Sequence, residues 1–135
     1  MRKLFPVTIL VFLSITAGAC TSRTAETEPG NLEKYSEPAG LAELIGGSEP
    51  AYVLADVRTP EEYAAGFIPT AVNIPVSEIE LRPPEVPMDR LVVVYCRSGN
   101  RSAVAAGILR NLGYLKVVDF GGVYRWEGDL YTGGE

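Results

Sequence analysis

The sequence predicts an α/β domain in which a central parallel β-sheet carries helices on both faces. Short apolar, β-branched runs alternate along the chain with segments that carry helix signals, and this order is typical of parallel sheets. The chain has 135 residues, of which 47% are apolar and 21% are charged, and these values suit one globular domain. We expect that domain to occupy residues 39–135.

The expected strands are four apolar segments. Residues 52–55 form a nearly continuous apolar run, as expected of a strand that is buried on both faces. Residues 71–74 form a shorter strand that Pro75 ends. Residues 91–95 should lie at the centre of the sheet, because this segment is uncharged and rich in β-branched residues. Residues 116–120 form the last expected strand.

Helix signals lie between and around these strands. Thr59 is the expected N-cap of one helix, with Pro60 at the first helical position and Glu62 completing a capping box. Ser77 and Glu80 form a second capping box, which predicts another short helix. The remaining helical segments are expected at residues 41–45 and 102–112, and Gly121-Gly122 is expected to turn into a short helix that runs through Trp126.

The first 19 residues have the layout of a secretory signal. A basic start is followed by an apolar run at residues 4–15, which is shorter than the ~20 residues of a membrane span. The small residues Ala17 and Ala19 fit an ordinary signal peptidase site. Residues 17–20 also resemble a bacterial lipobox in which Cys20 becomes the lipidated N-terminus, although Ala17 stands where Leu is usual.

Three outcomes of this signal remain open. Cys20 becomes lipidated, or the protein is secreted in soluble form with a free Cys20, or the N-terminal segment is retained as an anchor. Each of them places the domain outside the cytoplasm, in the periplasm or cell envelope. Residues 20–38 are rich in Thr, Ser, Glu, Pro and Gly, and we expect them to form a disordered tether. The alternative is that part of the tether packs on the domain through Tyr35.

Composition excludes several kinds of chemistry. The net charge of −5 argues against a nucleic acid partner, because phosphate binding needs clustered cations. The chain has no histidine, so it has no catalytic Ser-His or Cys-His pair and no imidazole metal ligand. Two cysteines do not build a cysteine-only zinc site. We therefore expect no metal and no cofactor.

Residues 96–101 combine the features that stabilise a thiolate. Cys96 ends the strongest predicted strand, a helix follows shortly after, and Gly99 permits a tight loop with positive φ. Backbone N–H groups of such a loop form an anion-binding nest, and the helix N-terminus adds ~0.5 positive charge. Arg97 and Arg101 add two more cations, so the pKa of Cys96 should lie below that of a free thiol. The alternatives are an inert core cysteine and a disulfide with Cys20.

Asp56 and Arg58 follow the first strand and should reach the same edge of the sheet as Cys96. Two interpretations compete for them. Arg58 lies at the rim of a pocket, or both side chains pair structurally with neighbouring loops, with Arg101 as one partner for Asp56. Tyr124 and Trp126 are expected to be packing residues, and the alternative is that they line the pocket.

Residues 96–102, Cys-Arg-Ser-Gly-Asn-Arg-Ser, resemble the active-site loop of the rhodanese family of sulfurtransferases. Segments 56–58, 61–69, 71–75 and 118–126 also match that family, in its order, so the resemblance covers about residues 40–130. Phe67 stands where the family often has His, and Thr70 replaces a common Gly. We expect these departures to change local packing and not the reaction.

The resemblance implies a single rhodanese-like domain that transfers sulfur in two steps. The Cys96 thiolate takes a sulfur from thiosulfate or a similar small anionic donor, and the resulting persulfide passes it to a thiol or to cyanide. Arg97 and Arg101 would draw in and orient the donor, and the residues between them would act through their backbones. The residues expected to bind the donor are Arg97, Ser98, Gly99, Asn100 and Arg101.

Other functions remain possible on the same fold. Related phosphatases and arsenate reductases have one residue more between Cys and Arg, and the shorter spacing from Cys96 to Arg101 suits a single sulfur atom better than a phosphoryl group. A membrane-tethered, non-catalytic binding or regulatory module is the main alternative. A thiol redox protein is disfavoured, because no resolving cysteine lies near Cys96.

Overall fold

The computed structural model describes residues 32–48 and 50–133. Within them, four parallel strands form one sheet that helices cover, which confirms the predicted fold class. The strands are β1 (Tyr52–Asp56), β2 (Val72–Asn73), β3 (Leu91–Cys96) and β4 (Lys116–Gly122). The helices are α1 (Pro38–Gly46), α2 (Pro60–Ala64) and α3 (Asn100–Asn111). The strand order across the sheet is β2-β1-β3-β4.

The strand β3 lies inside the sheet, between β1 and β4, as predicted. All six of its residues are buried, which is why the segment reads as a continuous apolar run. Asp56 of β1 is in register with Tyr95, and Gly122 of β4 is in register with Cys96. The carboxyl ends of the three strands therefore meet at one edge of the sheet.

Each face of the sheet carries its own apolar layer, because successive side chains of a strand point to opposite faces. One layer packs Val93 and Tyr95 of β3 against residues of α1 such as Leu41. The other layer packs Cys96 with residues of α3 such as Leu109. Cys96 therefore lies on the face that α3 covers.

The helices α2 and α3 begin in different ways. At α2 the predicted capping box is confirmed: Thr59 Oγ1 accepts from the Glu62 N–H at 3.3 Å, and Glu62 Oε2 accepts from the Thr59 N–H at 3.1 Å. Helix α3 begins at Asn100, two residues before the predicted start, after Gly99 with φ +103° and no side-chain cap.

Two predicted helices differ from the structure. Residues 76–80 form successive turns, so the helix expected from the Ser77–Glu80 box is wrong. The segment has little room for a helix, because Pro83 follows it at once and disfavours helical backbone at Arg82. Gly121 and Gly122 belong to β4, and only residues 123–125 form a 3-10 helix.

Part of the segment predicted as a tether packs on the domain. A 3-10 helix, Glu33–Ser36, precedes α1, and Tyr35 is 3% exposed in the apolar layer beside α1. This is the alternative in which Tyr35 anchors the end of the polar segment. The predicted signal at residues 1–19, the lipidation candidate Cys20 and the tether up to residue 31 lie outside the described residues. Within the described ranges, every helix is too short or too polar to cross a bilayer.

The two departures from the family pattern have local structural consequences. Thr70 has φ +70°, a left-handed conformation in which glycine is normally preferred, and its Oγ1 lies 2.9 Å from the Tyr52 hydroxyl. Phe67 stacks on Tyr63 with ring centroids 4.2 Å apart. The Phe67 backbone also pairs with that of Tyr131 through two hydrogen bonds of 2.8 Å. Phe67 thus helps to attach the C-terminal segment to the domain.

Candidate active site

The sulfur of Cys96 lies at the base of a short loop that joins β3 to α3. Cys96 has no exposed surface, while Arg97, Ser98 and Asn100 of the loop are exposed. The Gly99 N–H donates to Cys96 Sγ at 3.0 Å. The positive φ of Gly99 turns the loop into the helix, and a Cβ at this position would be strained. The loop thus aims a backbone amide at the sulfur, as the sequence predicts.

Ser102 is the second group that contacts the sulfur. The Cys96 thiol donates to Ser102 Oγ at 3.7 Å. The Ser102 hydroxyl donates to the carbonyl oxygen of Gly99 at 2.9 Å and also lies 3.3 Å from that of Gly121. It therefore ties the loop to the end of β4. The sequence motif includes Ser102 but predicts no contact with the sulfur. A hydroxyl in the first turn of the helix after Cys96 could have indicated this contact.

Two opposing effects act on the pKa of the Cys96 thiol. Burial, the largest, raises it. The hydrogen bonds with the backbone N–H and the side chain of Ser102 lower it, and so do those from the N–H groups of Gly99 and Ser98. Together these bonds prevail over burial, so the pKa of Cys96 lies below its ordinary value. The direction agrees with the prediction, and the loop achieves it without histidine.

The two arginines of the loop are placed differently. Arg101, in the first turn of α3, forms a two-point ion pair with Glu62 of α2, with contacts of 2.6 Å and 2.9 Å. The suggested pair between Asp56 and Arg101 is therefore wrong. The Arg97 side chain is exposed and makes no ion pair or hydrogen bond with the part of the chain that the structure describes. Arg97 is thus the cation that is open to an anion from solvent.

Glu62 has a role that the capping box did not reveal. Its hydrogen bonds to the Arg101 guanidinium hold the pKa of the Glu62 carboxyl at about 2, below the usual 4.5. Glu62 is therefore a full negative charge at neutral pH, and it joins the starts of α2 and α3. The sequence gives no signal for this contact, because the two residues are 39 positions apart and meet only in the folded protein.

Asp56 and Arg58 form a buried pair beside the loop. Arg58 Nε and Nη2 donate to the two carboxylate oxygens of Asp56 at 2.9 Å and 2.5 Å, and Nη2 also donates to the Gly66 carbonyl oxygen at 2.6 Å. Asp56 is 0% exposed and Arg58 is 6% exposed. Both side chains therefore make structural contacts, but only Arg58 reaches a neighbouring loop as the structural interpretation expected, because the partner of Asp56 is Arg58. Arg58 is buried and does not lie at a pocket rim.

The expected packing residues near the end of β4 also differ. Trp126 packs partly buried against the apolar layer beside α1, as predicted. Tyr124 is 74% exposed, so its prediction as a packing residue is wrong. The reason is that the 3-10 helix Val123–Arg125 turns this side chain outward directly after β4.

Metal ligation has little support in the residues present. Among residues 32–48 and 50–133, no three Cys, Asp or Glu side chains cluster in a way that would hold a metal ion. Cys96 is a free thiol whose neighbours are amides and a hydroxyl. The arrangement suits a nucleophilic sulfur that is stabilised as an anion by hydrogen bonds.

The order of motifs and the fold agree with a known family. The family model of the rhodanese-like domain matches residues 37–129, which is most of the chain. The chain belongs to this family. The match includes both β1 with its buried ion pair and the loop that holds Cys96.

Individual relatives support sulfur transfer at the family level. A protein named sulfurtransferase from Allochromatium vinosum is 47% identical over 64% of this chain and 80% of its own length. The human thiosulfate:glutathione sulfurtransferase is 41% identical over 53% of this chain and 75% of its own. A solved rhodanese with anions from E. coli is 32% identical, covers 62% of this chain and 100% of its own, and superposes with a TM-score of 0.57.

Proposed function

We propose that this protein is an extracytoplasmic sulfurtransferase of the thiosulfate type, which carries sulfur as a persulfide on Cys96. The observation that carries the proposal is the Gly99 N–H, which points at the Cys96 sulfur from a loop at the start of α3. A sulfur held in this way is stabilised as an anion at the end of a helix dipole. A persulfide carries its negative charge into the same set of donors.

The reaction has two displacement steps. The Cys96 thiolate attacks the outer sulfur of thiosulfate, a new S–S bond forms, and the old S–S bond breaks with its electron pair leaving on sulfite. An acceptor thiolate or cyanide then attacks the outer sulfur of the persulfide. The bond to Cys96 breaks, and the electron pair returns to Cys96 as a thiolate. No cofactor or external oxidant is needed.

The loop has a separate part for the anionic donor. Arg97 is exposed beside the buried sulfur and has no partner among the described residues, so it is free to meet a dianion. The donor would enter from the side of Arg97, Ser98 and Asn100, which is the exposed side of the loop. The A. vinosum and human relatives, named for sulfur transfer, agree with this chemistry. The human relative's name suggests a thiol such as glutathione as acceptor.

The N-terminal sequence supports the proposed location outside the cytoplasm. A basic start, an apolar run and small residues before Cys20 support export, and Cys20 supports lipid attachment in the envelope. Incorporation of labelled fatty acid into the full chain, and its loss in Cys20→Ser, tests the anchor. Export without label incorporation would favour the soluble secreted form.

Intact mass measurement tests the proposed chemistry directly. The full chain, reduced and then treated with thiosulfate, should gain the mass of one sulfur atom, and the Cys96→Ser variant should gain none and lose transfer to cyanide or glutathione. Cys20→Ser is the matched control, because it removes the other cysteine and should keep the gain. If the wild-type mass does not change, the chain is a non-catalytic binding module and the proposal fails. Full activity in Cys96→Ser would contradict the role of this residue.

A further inference from the structure

The contact between Arg101 and Glu62 engages both oxygens of the carboxylate and two of the three guanidinium nitrogens. Two guanidinium nitrogens of Arg101 donate to the two oxygens of Glu62 at 2.6 Å and 2.9 Å. The same Glu62 oxygen that takes the shorter bond also accepts from the Thr59 N–H at 3.1 Å. The carboxylate is thus held from the α2 side and the α3 side at once.

This pairing uses the Nη1 and Nη2 edge of Arg101, one of the edges through which an anionic donor could bind it. A guanidinium recognises an oxyanion through two parallel N–H groups, and Glu62 already fills such a fork on Arg101. The two side chains are 34% and 28% exposed, so water competes only partly for the pair. A donor that used this edge of Arg101 would have to break a short, two-point ion pair, and a donor that approached the Nε–H edge would meet the nearby negative charge of Glu62.

The pair also counteracts an unfavourable placement of charge. Arg101 is the second residue of α3, where the positive end of the helix dipole disfavours a cation. The carboxylate of Glu62 compensates for that charge. The loop of residues 97–99 is then fixed at one end by β3 and at the other by a helix start that is tied to α2.

We propose that Arg101 is a positioning residue, held by Glu62, and that Arg97 alone supplies the guanidinium that binds the anionic donor. This inference rests on the proposed sulfur transfer. The sequence predicts that both arginines bind the donor. The inference assigns donor binding to Arg97 and the positioning of the loop to Arg101. Its consequence is that the Glu62–Arg101 pair acts on the geometry around Cys96 and not on donor affinity.

Hydrogen exchange of the loop tests whether the Glu62–Arg101 pair acts as a clamp that holds residues 97–99 in place. This test does not depend on activity. In the full chain, Glu62→Gln keeps the capping box, since glutamine also serves at this position, but loses the ion pair. Exchange of peptides covering residues 97–101 should become faster by about fivefold or more in Glu62→Gln and in Arg101→Lys, because losing a charged hydrogen-bonded contact weakens local order. Glu78→Gln, which removes the exposed pair of Glu78 with Arg82, is the matched control and should leave this exchange unchanged. Unchanged exchange in Glu62→Gln would overturn the clamp.

Steady-state kinetics with thiosulfate separates positioning from binding. In Glu62→Gln and Arg101→Lys, kcat should fall about tenfold while KM for thiosulfate stays within about twofold of wild type. In Arg97→Gln, KM should rise about tenfold or more. If Glu62→Gln instead lowers KM, Arg101 is a donor ligand that Glu62 restrains, and the inference is wrong. If wild type transfers no sulfur at all, the proposed function fails, while the exchange result still decides whether the clamp exists.

Discussion

Two connections leave the same edge of the sheet and solve the same structural problem differently. The connection from β1 to α2 caps its helix with side chains: Thr59 and Glu62 bond each other's backbone N–H groups, and Pro60 removes a third. The connection from β3 to α3 has Gly99 at the N-cap position and no side-chain cap. The first four N–H groups of any helix need partners, so the uncapped start must find them elsewhere.

This difference between the two helix starts indicates which of them can bind an anion. At α2 the capping box satisfies the N–H groups of Thr59 and Glu62 internally, and Pro60 has no N–H to offer a ligand. At α3 the Gly99 N–H and the Ser102 N–H meet the sulfur of Cys96, which takes the place of the missing cap. One arginine of each connection shows the same difference. Arg58 is buried in an ion pair with Asp56, while Arg97 is exposed. The first connection stabilises the fold, and the second directs hydrogen bonds at a buried thiol and lowers its pKa.

The largest effect should come from breaking the anchor of the first connection. Asp56→Asn keeps the shape of the side chain but leaves the Arg58 guanidinium buried without its carboxylate. Loss of one partner of a buried pair costs about 3–5 kcal/mol, a large part of the stability of a small domain. Chemical denaturation should show this loss in the free energy of unfolding. The exposed Asp89→Asn is the control and should change stability by less than about 0.5 kcal/mol. A similar small effect for both variants would mean that the buried pair does not hold the fold together.

The next effect should come from giving α3 the kind of cap that α2 has. Gly99→Asp places a carboxylate where it competes with Cys96 Sγ for the N–H groups at the helix start, and it strains a residue with φ +103°. We expect the pKa of Cys96 to rise and the rate of sulfur transfer to fall by about a hundredfold or more.

Alkylation of Cys96 as a function of pH, measured by peptide mass spectrometry, reads the pKa of Cys96 in the Gly99→Asp variant. Gly113→Asp is the matched control, because Gly113 also has positive φ, +101°, but ends α3 far along the chain from Cys96. It should lose stability without raising the pKa of Cys96. A normal or lowered pKa of Cys96 in Gly99→Asp would refute the contrast between the two helix starts.

Much of this contrast was predictable, because it depends on local sequence. The capping box at Thr59, the buried run of residues 91–95 and the glycine after Cys96 each act over a few residues, so their patterns show in the sequence. The helix expected from Ser77 is the exception among these local predictions. A capping box is present there too, but the prolines that follow it prevented a regular helix.

The contacts that complete the site were not predictable, because they join distant parts of the chain. Glu62 is 39 residues from Arg101, and no local pattern links them. The pair of Asp56 with Arg58 is an exception, because it is local, and it was missed because a neighbouring loop was expected to supply the partner of Asp56. A capping pattern does not show that the capping carboxylate has a second partner. The exposure of Tyr124 likewise depends on how the chain turns after β4, which its apolar neighbours do not reveal.

The smallest expected effect lies in the pH dependence of the contact that joins the two connections. The pKa of Glu62 falls from 4.5 to about 2 in the folded protein, first through its hydrogen bond to Arg101. Between these values the unfolded chain binds more protons than the folded one, so this pair adds stability that is fully present above about pH 4.5 and is lost as pH falls through about 2.

The difference in unfolding free energy between wild type and Glu62→Gln should be about 0.2–1 kcal/mol at neutral pH, as for other partly exposed pairs. It should shrink towards zero at the acid end of a denaturation series, while Glu61→Gln, a neighbour without an ion pair among the described residues, controls for removing one charge from α2. A difference that stays constant down to about pH 2 would show that Glu62 contributes through its capping bonds and not through Arg101, and the two connections would then be independent.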